Sequence, residues 1–117
     1  MILANQLRLG NLFIEHKSCK IISVIGLERN RIVFDGMFLD KWQAKPIELN
    51  EGWLKKLGFI KNKFDHYFEI ENCQIEIYSF GNEVIVCIDS VVNKNIKYVH
   101  QLQNLYFALT NKELSYE

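Results

Sequence analysis

Short runs of hydrophobic residues, broken by turn residues, make up the first half of the chain. The runs at 12–16, 20–28 and 31–34 have the length and alternation of β-strands. Both faces of these strands carry hydrophobic side chains, which favours a sheet that curls around a small core. The pattern therefore predicts a β-rich N-terminal lobe over residues 7–49, either a strongly bent sheet or an SH3-like barrel.

Two turn signals set the expected strand pairing in this lobe. Arg29-Asn30 predicts a two-residue hairpin loop, and Asp35-Gly36 predicts the next turn. The first loop implies a register with three facing pairs: Glu28 with Arg31, Leu27 with Ile32, and Ile25 with Phe34.

A short helix is predicted over residues 50–57. Asn50 can cap its N-terminus, and Glu51 places negative charge in the first turn. Two lysines occupy the last turn, where cations are favoured. Gly58 supplies the left-handed residue that ends the helix.

Alternation resumes over residues 64–89, around the turn pairs Glu71-Asn72 and Gly81-Asn82. If each pair forms a two-residue loop, Phe68 faces Ile75 in the first hairpin, and Ile77 faces Val86 in the second. Both registers place the same hydrophobic side chains on one face. We therefore expect a three-stranded antiparallel meander with an inner face made by Phe68, Ile70, Ile75, Ile77, Val86 and Ile88.

The stretch Ile96–Thr110 repeats its hydrophobic residues at helical spacing. Its apolar arc is wide, which is typical of a helix covered on more than one side. We expect this C-terminal helix to cover the inner face of the meander, with Leu102 directed at Ile75 and Ile77. The fold class is then α+β: one compact domain over residues 1–117, with sub-lobes at 1–49 and 50–117.

Several stretches resemble a family of small bacterial proteins that often occur in prophage or mobile-element settings. The most specific is Ile96–Thr110, and the others are Pro46–Phe59 and the segment from Met1 to Asn11 without Gln6. Together they cover about a third of the chain. Members usually have glycine after the threonine, where this chain has Asn111, a residue that tolerates a left-handed helix cap. The resemblance implies a shared fold and a phage-related setting, and it implies no activity or cofactor.

Composition and charge exclude several classes of protein. The hydrophobic fraction of 49% is ample for a packed core, and 14 basic side chains balance 14 acidic ones. No global charge therefore attracts nucleic acid or an anionic membrane. We find no secretion signal or membrane-spanning run, and expect a cytoplasmic protein. Three widely spaced cysteines without a CxxC motif favour reduced thiols over a disulfide framework or a zinc site.

Catalytic motifs are absent from the sequence, so we expect no enzymatic activity, metal or cofactor. His100, with Gln103 and Asn104 close along the same helix, is the candidate polar site. His100 is either a base or ligand in a cleft, or a half-buried histidine that is hydrogen-bonded to a backbone carbonyl. Gln103 either binds a partner or is a satisfied buried amide.

Two surface features suggest binding. Lys55, Lys56, Lys61 and Lys63 form a basic cluster that either binds phosphate or supports the helix end and solubility. Tyr67, Tyr78 and Ile85, with Phe80 as a further candidate, lie on the other face of the meander. They form either an exposed interaction surface or packing against the N-terminal lobe. The leading expectation is a non-catalytic module that binds protein, either itself or another. The alternative is a nucleic-acid-binding module that uses the lysines.

Overall fold

The computed structural model describes residues 7–15, 20–28, 31–34, 44–63, 67–71, 73–80, 83–89, 91–93 and 95–114. Within these ranges the fold is α+β, with two antiparallel sheets and two helices. The chain divides into two compact units. Unit 1 comprises Met1–Ile47 with Tyr98–His100, and unit 2 comprises Glu48–Lys97 with Gln101–Glu117. Neither helix is long and apolar enough to cross a membrane.

Unit 1 is built on a four-stranded sheet in the order β3-β2-β1-β4. Its strands are β1 (Leu12–Glu15), β2 (Ile21–Glu28), β3 (Arg31–Phe34) and β4 (Ala44–Pro46). The chain's single proline ends the edge strand β4, where a missing N–H breaks no central ladder. Phe13 and Phe34 meet edge to face at 5.8 Å in the core. The cluster of buried residues around them is Leu7, Phe13, Ile22, Val24, Ile32, Phe34 and Ala44.

The β2–β3 hairpin corrects part of the predicted register. Glu28 faces Arg31 and Leu27 faces Ile32, as predicted, but Phe34 faces Val24 and not Ile25. A bulge between Val24 and Gly26 causes the shift. With this bulge Val24 is buried and Ile25 is exposed. The pairing is therefore set by the burial of Val24 in preference to Ile25. Both predicted turns, Arg29-Asn30 and Asp35-Gly36, lie outside the described residues.

Helix α1 (Glu51–Lys56) begins and ends as its sequence predicts. The Asn50 side chain accepts a hydrogen bond from the Trp53 N–H at 2.9 Å. Gly58 has φ +93°, and Phe59 N–H donates to the Leu54 carbonyl at 2.9 Å. These are the features of a Schellman C-cap, which turns the chain sharply into the following strand.

Unit 2 contains a five-stranded antiparallel sheet in the order β5-β6-β7-β8-β9. The prediction of a three-stranded meander is therefore wrong in strand number. The strands are β5 (Ile60–Lys61), β6 (Phe68–Glu69), β7 (Ile75–Phe80), β8 (Glu83–Ile88) and β9 (Val91–Asn93). The two added strands, β5 and β9, lie at the edges and are too short for hydrophobic alternation to reveal them.

The pairing of β7 with β8 confirms the predicted register, with Ile75 facing Ile88 and Ile77 facing Val86. The predicted pairing of β6 with β7 is wrong, because Phe68 faces Ile77 and not Ile75. The difference is two residues, and side chains on a strand repeat with a period of two. The predicted inner face is therefore preserved even though each residue has a different partner.

Helix α2 (Val99–Thr110) starts three residues later than predicted. Residues 96–98 remain outside the helix, and in unit 1 the Val99 N–H donates to the Ile47 carbonyl at 2.8 Å. In unit 2 the Gln101 side chain accepts a hydrogen bond from the Lys97 N–H at 2.8 Å, which satisfies a donor just before the helix. At the other end Asn111 has φ +59°, which confirms the predicted left-handed cap.

Burial along α2 is narrower than the predicted apolar arc. Val99 and Leu102 are fully buried, and Gln103, the residue after Leu102, is also buried. Leu109, which the arc places with Leu102, is 42% exposed. The last turn of the helix therefore contributes less to the core than its hydrophobicity suggests.

Candidate functional site

The candidate site is the outer face of the five-stranded sheet in unit 2. Phe68, Ile75, Ile77 and Val86 are buried on the inner face, and the alternate positions point the other way. One row crosses all five strands, from Ile60 through Glu69, Glu76 and Cys87 to Val92. We define the outer face as Ile60, Tyr67, Glu69, Glu76, Tyr78, Phe80, Glu83, Ile85, Cys87 and Val92.

Three aromatic rings form a continuous cluster on the outer face. The Tyr67 and Tyr78 ring centroids are 5.6 Å apart, with ring planes at 48°. The Tyr78 and Phe80 centroids are 6.3 Å apart, with planes only 3° from parallel. Phe80 is 60% exposed, and both tyrosines are half-buried. We call these three residues the aromatic cluster.

Carboxylates surround the aromatic cluster. Glu69 and Glu76 face each other on β6 and β7, and Glu83 faces Phe80 across the β7–β8 hairpin. Directly opposed like charges destabilise a sheet. No lysine or arginine is found among the described residues of the outer face. The outer face is therefore an aromatic surface with negative charge.

Tyr78 joins the aromatic and acidic parts of this surface. Its hydroxyl donates a hydrogen bond to Glu76 Oε2 at 3.1 Å, which holds the phenol and the carboxylate together. Desolvation raises the pKa of Tyr78 above its ordinary value, and the hydrogen bond and negative charge of Glu76 raise it further. Tyr78 is therefore a neutral hydrogen-bond donor at physiological pH, not a nucleophile or base.

The structure brings together the three predicted interaction residues, Tyr67, Tyr78 and Ile85. Ile85 lies directly opposite Tyr78 on β8 and is half-buried. Cys87 lies two residues farther along β8 and is buried. Desolvation raises the pKa of its thiol, and the negative charge of Glu76 raises it further. A buried thiol with a raised pKa is a poor nucleophile, so Cys87 acts in packing.

The prediction for this face extended to Phe80 but omitted Glu83. Their positions follow from the β7–β8 register, which the sequence indicates through its Gly81-Asn82 turn pair. The contact of Tyr67 with Tyr78 could not be found in this way. The predicted β6–β7 register places Glu76, and not Tyr78, opposite Tyr67.

The basic cluster is divided between two locations in unit 2. Lys55 and Lys56, at the end of α1, line an open cavity of about 310 Å³ together with Gly58, Ile70 and Tyr106. The Lys56 ammonium lies 4.8 Å from the centroid of the buried Trp53 ring, a cation–π contact. Lys61 and Lys63 are exposed and are not part of this lining; Lys61 belongs to β5. The structure therefore does not gather all four lysines around one cavity.

His100 is buried in unit 1 among aromatic rings. Its ring stacks on the rings of Phe13 and Tyr98, with centroid distances of 4.8 Å and 5.9 Å. Only 6% of the residue is exposed. His100 is buried more deeply than the predicted half-buried histidine, and its Nδ1 has no hydrogen-bond partner among the residues that the structure describes. Burial lowers the pKa of His100 to about 4, so the imidazole is neutral at physiological pH.

Gln103 and Asn104 belong to unit 2 and follow on α2. Gln103 is buried and Asn104 half-buried. Across the described part of the chain, no group of three or more histidine, cysteine, aspartate or glutamate side chains could hold a metal ion. Comparison of the chain with protein-family models, curated proteins and solved structures finds no match.

Proposed function

We propose that this protein is a non-catalytic interaction module that binds another protein through the outer face of its five-stranded sheet. The observation that carries this proposal is the aromatic cluster Tyr67–Tyr78–Phe80, three neighbouring rings that remain partly or largely exposed. Aromatic side chains are enriched at protein interfaces because they bury a large area and lose little conformational entropy. The exposed Val92 on β9 extends the apolar surface to the sheet edge.

The inner face of the same sheet supports this assignment by elimination. Its residues Phe68, Ile75, Ile77 and Val86 are almost fully buried. We infer that α2 covers them, since Leu102 of the same compact unit is also fully buried. Among the described residues of unit 2, the outer face is then the broad surface of this sheet that remains for a partner. For unit 1 we infer an SH3-like curl of its sheet, which buries hydrophobic residues on both β2 and β3.

The setting of the module is part of the proposal. The resemblance of Ile96–Thr110 and Pro46–Phe59 to small prophage-associated bacterial proteins favours an accessory role in a phage or mobile element. We infer that such a module acts inside the cell, bound to a host or phage protein.

A nucleic-acid-binding module is the alternative function. It is favoured by the exposed Lys55 and Lys56, which border the cavity of about 310 Å³. Two features count against it: Lys56 also lies over Trp53, and Glu113 contributes negative charge to the same lining. Salt separates the two functions by degree, because contacts with several phosphates weaken steeply with ionic strength and an interface centred on aromatic rings weakens much less.

The test is affinity capture from a lysate of the native host, with and without nuclease, using a matched pair of variants. Phe80→Ser removes a 60% exposed aromatic side chain from the outer face, and Leu9→Ser removes a 57% exposed side chain from unit 1. We expect Phe80→Ser to lose the captured protein while Leu9→Ser retains it, and nuclease to change neither result. Retention by both variants would contradict the proposal. Loss of every partner on nuclease treatment would favour the alternative function.

A further inference from the structure

On the basis of the proposed function, we infer that the segment bound by the outer face is cationic, with arginine side chains placed over the aromatic cluster. Among the residues that the structure describes, the outer face carries three carboxylates, Glu69, Glu76 and Glu83, and no basic side chain. The whole chain has no net charge, so this surface is a local concentration of negative charge. A partner of the opposite sign is the one that such a field attracts and orients.

The spacing of the rings suits a planar cation. The Tyr67–Tyr78 and Tyr78–Phe80 centroids are 5.6 Å and 6.3 Å apart. A cation is attracted to a ring when it lies within about 6 Å of the centroid, so one guanidinium can reach two of these rings at once. Arginine stacks on aromatic rings more readily than lysine because its charge is spread over a flat, weakly hydrated group.

The carboxylates are placed to complete such a contact. Glu76 is fixed beside Tyr78 by the hydrogen bond of 3.1 Å, and Glu69 faces Glu76 on the next strand. A cation between Glu69 and Glu76 relieves their mutual repulsion and can donate to both carboxylates. Glu83 extends the same chemistry to the far side of Phe80.

The test uses the full chain and a short end-capped peptide that alternates valine and arginine, followed by NMR titration. The control peptide has citrulline in place of arginine, which keeps the shape and hydrogen bonding but removes the charge. We expect the arginine peptide to shift the amide signals of Tyr67, Tyr78 and Phe80 and to bind about tenfold more tightly than the citrulline peptide. Equal affinity for the two peptides, or shifts confined to other residues, would overturn the inference.

Variants of the chain locate the charge effect. We expect Glu69→Gln, Glu76→Gln and Glu83→Gln each to weaken binding of the arginine peptide by about two- to fivefold. Glu48→Gln, an exposed residue outside the outer face, should leave the affinity unchanged. An equal loss with Glu48→Gln would show a non-specific charge effect and overturn the inference. So would binding of single-stranded DNA, or of a second copy of the chain, at the aromatic cluster.

Capture from the lysate separates failure of this inference from failure of the proposed function. If Phe80→Ser abolishes capture but the triple Glu→Gln variant does not, the outer face binds a partner that is not cationic. If Phe80→Ser and the triple variant both retain capture, the proposed function itself fails. Loss of capture with both, combined with preference for the arginine peptide, supports both statements.

Discussion

Tyr67 and Tyr78 lie on neighbouring antiparallel segments with their ring centroids 5.6 Å apart, although eleven positions separate them in the sequence. The pairing of Phe68 with Ile77 creates this relationship, because it sets Tyr67 opposite Tyr78. A register two residues different would keep both tyrosines on the outer face but separate them. The aromatic cluster is therefore a product of strand register.

The coupling between Tyr67 and Tyr78 can be measured by a double-mutant cycle. We expect Tyr67→Ala and Tyr78→Ala to interact by about 0.5–1 kcal/mol, since cross-strand aromatic pairs contribute that much beyond simple area burial. Urea unfolding of the wild type, both single variants and the double variant gives the coupling energy. Strictly additive losses would mean that the two rings do not stabilise each other in solution.

Leu102 and Leu109 provide a matched test of which side of α2 supports the core. Leu102 is fully buried and Leu109 is 42% exposed on the same helix. Leu102→Ala should lower the free energy of unfolding by about 2–5 kcal/mol, because it removes buried methyl groups and leaves a cavity. Leu109→Ala should cost about 1 kcal/mol or less. Similar urea midpoints for the two variants would contradict the orientation of the helix.

Lys97→Ala serves as a second control for the same helix. Lys97 is exposed and precedes α2, although the sequence predicts a helix that already begins at Ile96. Its backbone N–H makes the contact with Gln101, and alanine preserves that contact. We expect a change in stability of no more than about 0.5 kcal/mol.

The buried imidazole of His100 should make stability depend on pH. Burial lowers its pKa from 6.5 to about 4, so between these values the unfolded chain binds a proton that the folded chain does not. The stabilisation is fully present above pH 6.5 and is lost as the pH falls toward 4, with roughly 3 kcal/mol at stake.

His100→Phe isolates this effect, because phenylalanine can retain the stacking on Phe13 and cannot titrate. His16 and His66 are present in both proteins and cancel in the comparison. We expect the stability of the wild type, relative to that of His100→Phe, to fall as the pH drops from 6.5 toward 4. Parallel stability–pH profiles from urea melts would show that His100 is not buried as a neutral base.

The left-handed residue after α1 can be tested with one methyl group. A Cβ at Gly58 would meet Ile70 Cδ1 at 3.9 Å, an ordinary contact, so space does not exclude alanine there. The φ of +93° does oppose it, and Gly58→Ala should cost about 1–2 kcal/mol. Asn111→Gly, at φ +59°, should instead preserve or slightly raise stability. Thermal melts of the two variants should therefore move in opposite directions or differ clearly in size.

The features that the sequence predicted correctly are those that depend on neighbouring residues. Asn50 and Gly58 mark the ends of α1 because capping and left-handed geometry are local properties. The β7–β8 register follows from one short turn, and Asn111 ends α2 as expected. The outer-face assignment of Tyr67, Tyr78 and Ile85 required only alternation, which a shift of two residues leaves unchanged.

Tertiary structure decided the features that depend on distant partners. The bulge in β2 depends on burial, because Val24 is buried opposite Phe34 and its neighbour Ile25 is exposed. The sequence alone does not show which of these two side chains enters the core. The start of α2 depends on Ile47, a residue far from the helix in the sequence, whose carbonyl accepts a hydrogen bond from the Val99 N–H. The edge strands β5 and β9 form because the neighbouring strands β6 and β8 offer them backbone partners. Hydrophobic alternation cannot distinguish two registers of β6 against β7, and only one of them places Tyr67 next to Tyr78. Packing in the folded protein selects that register.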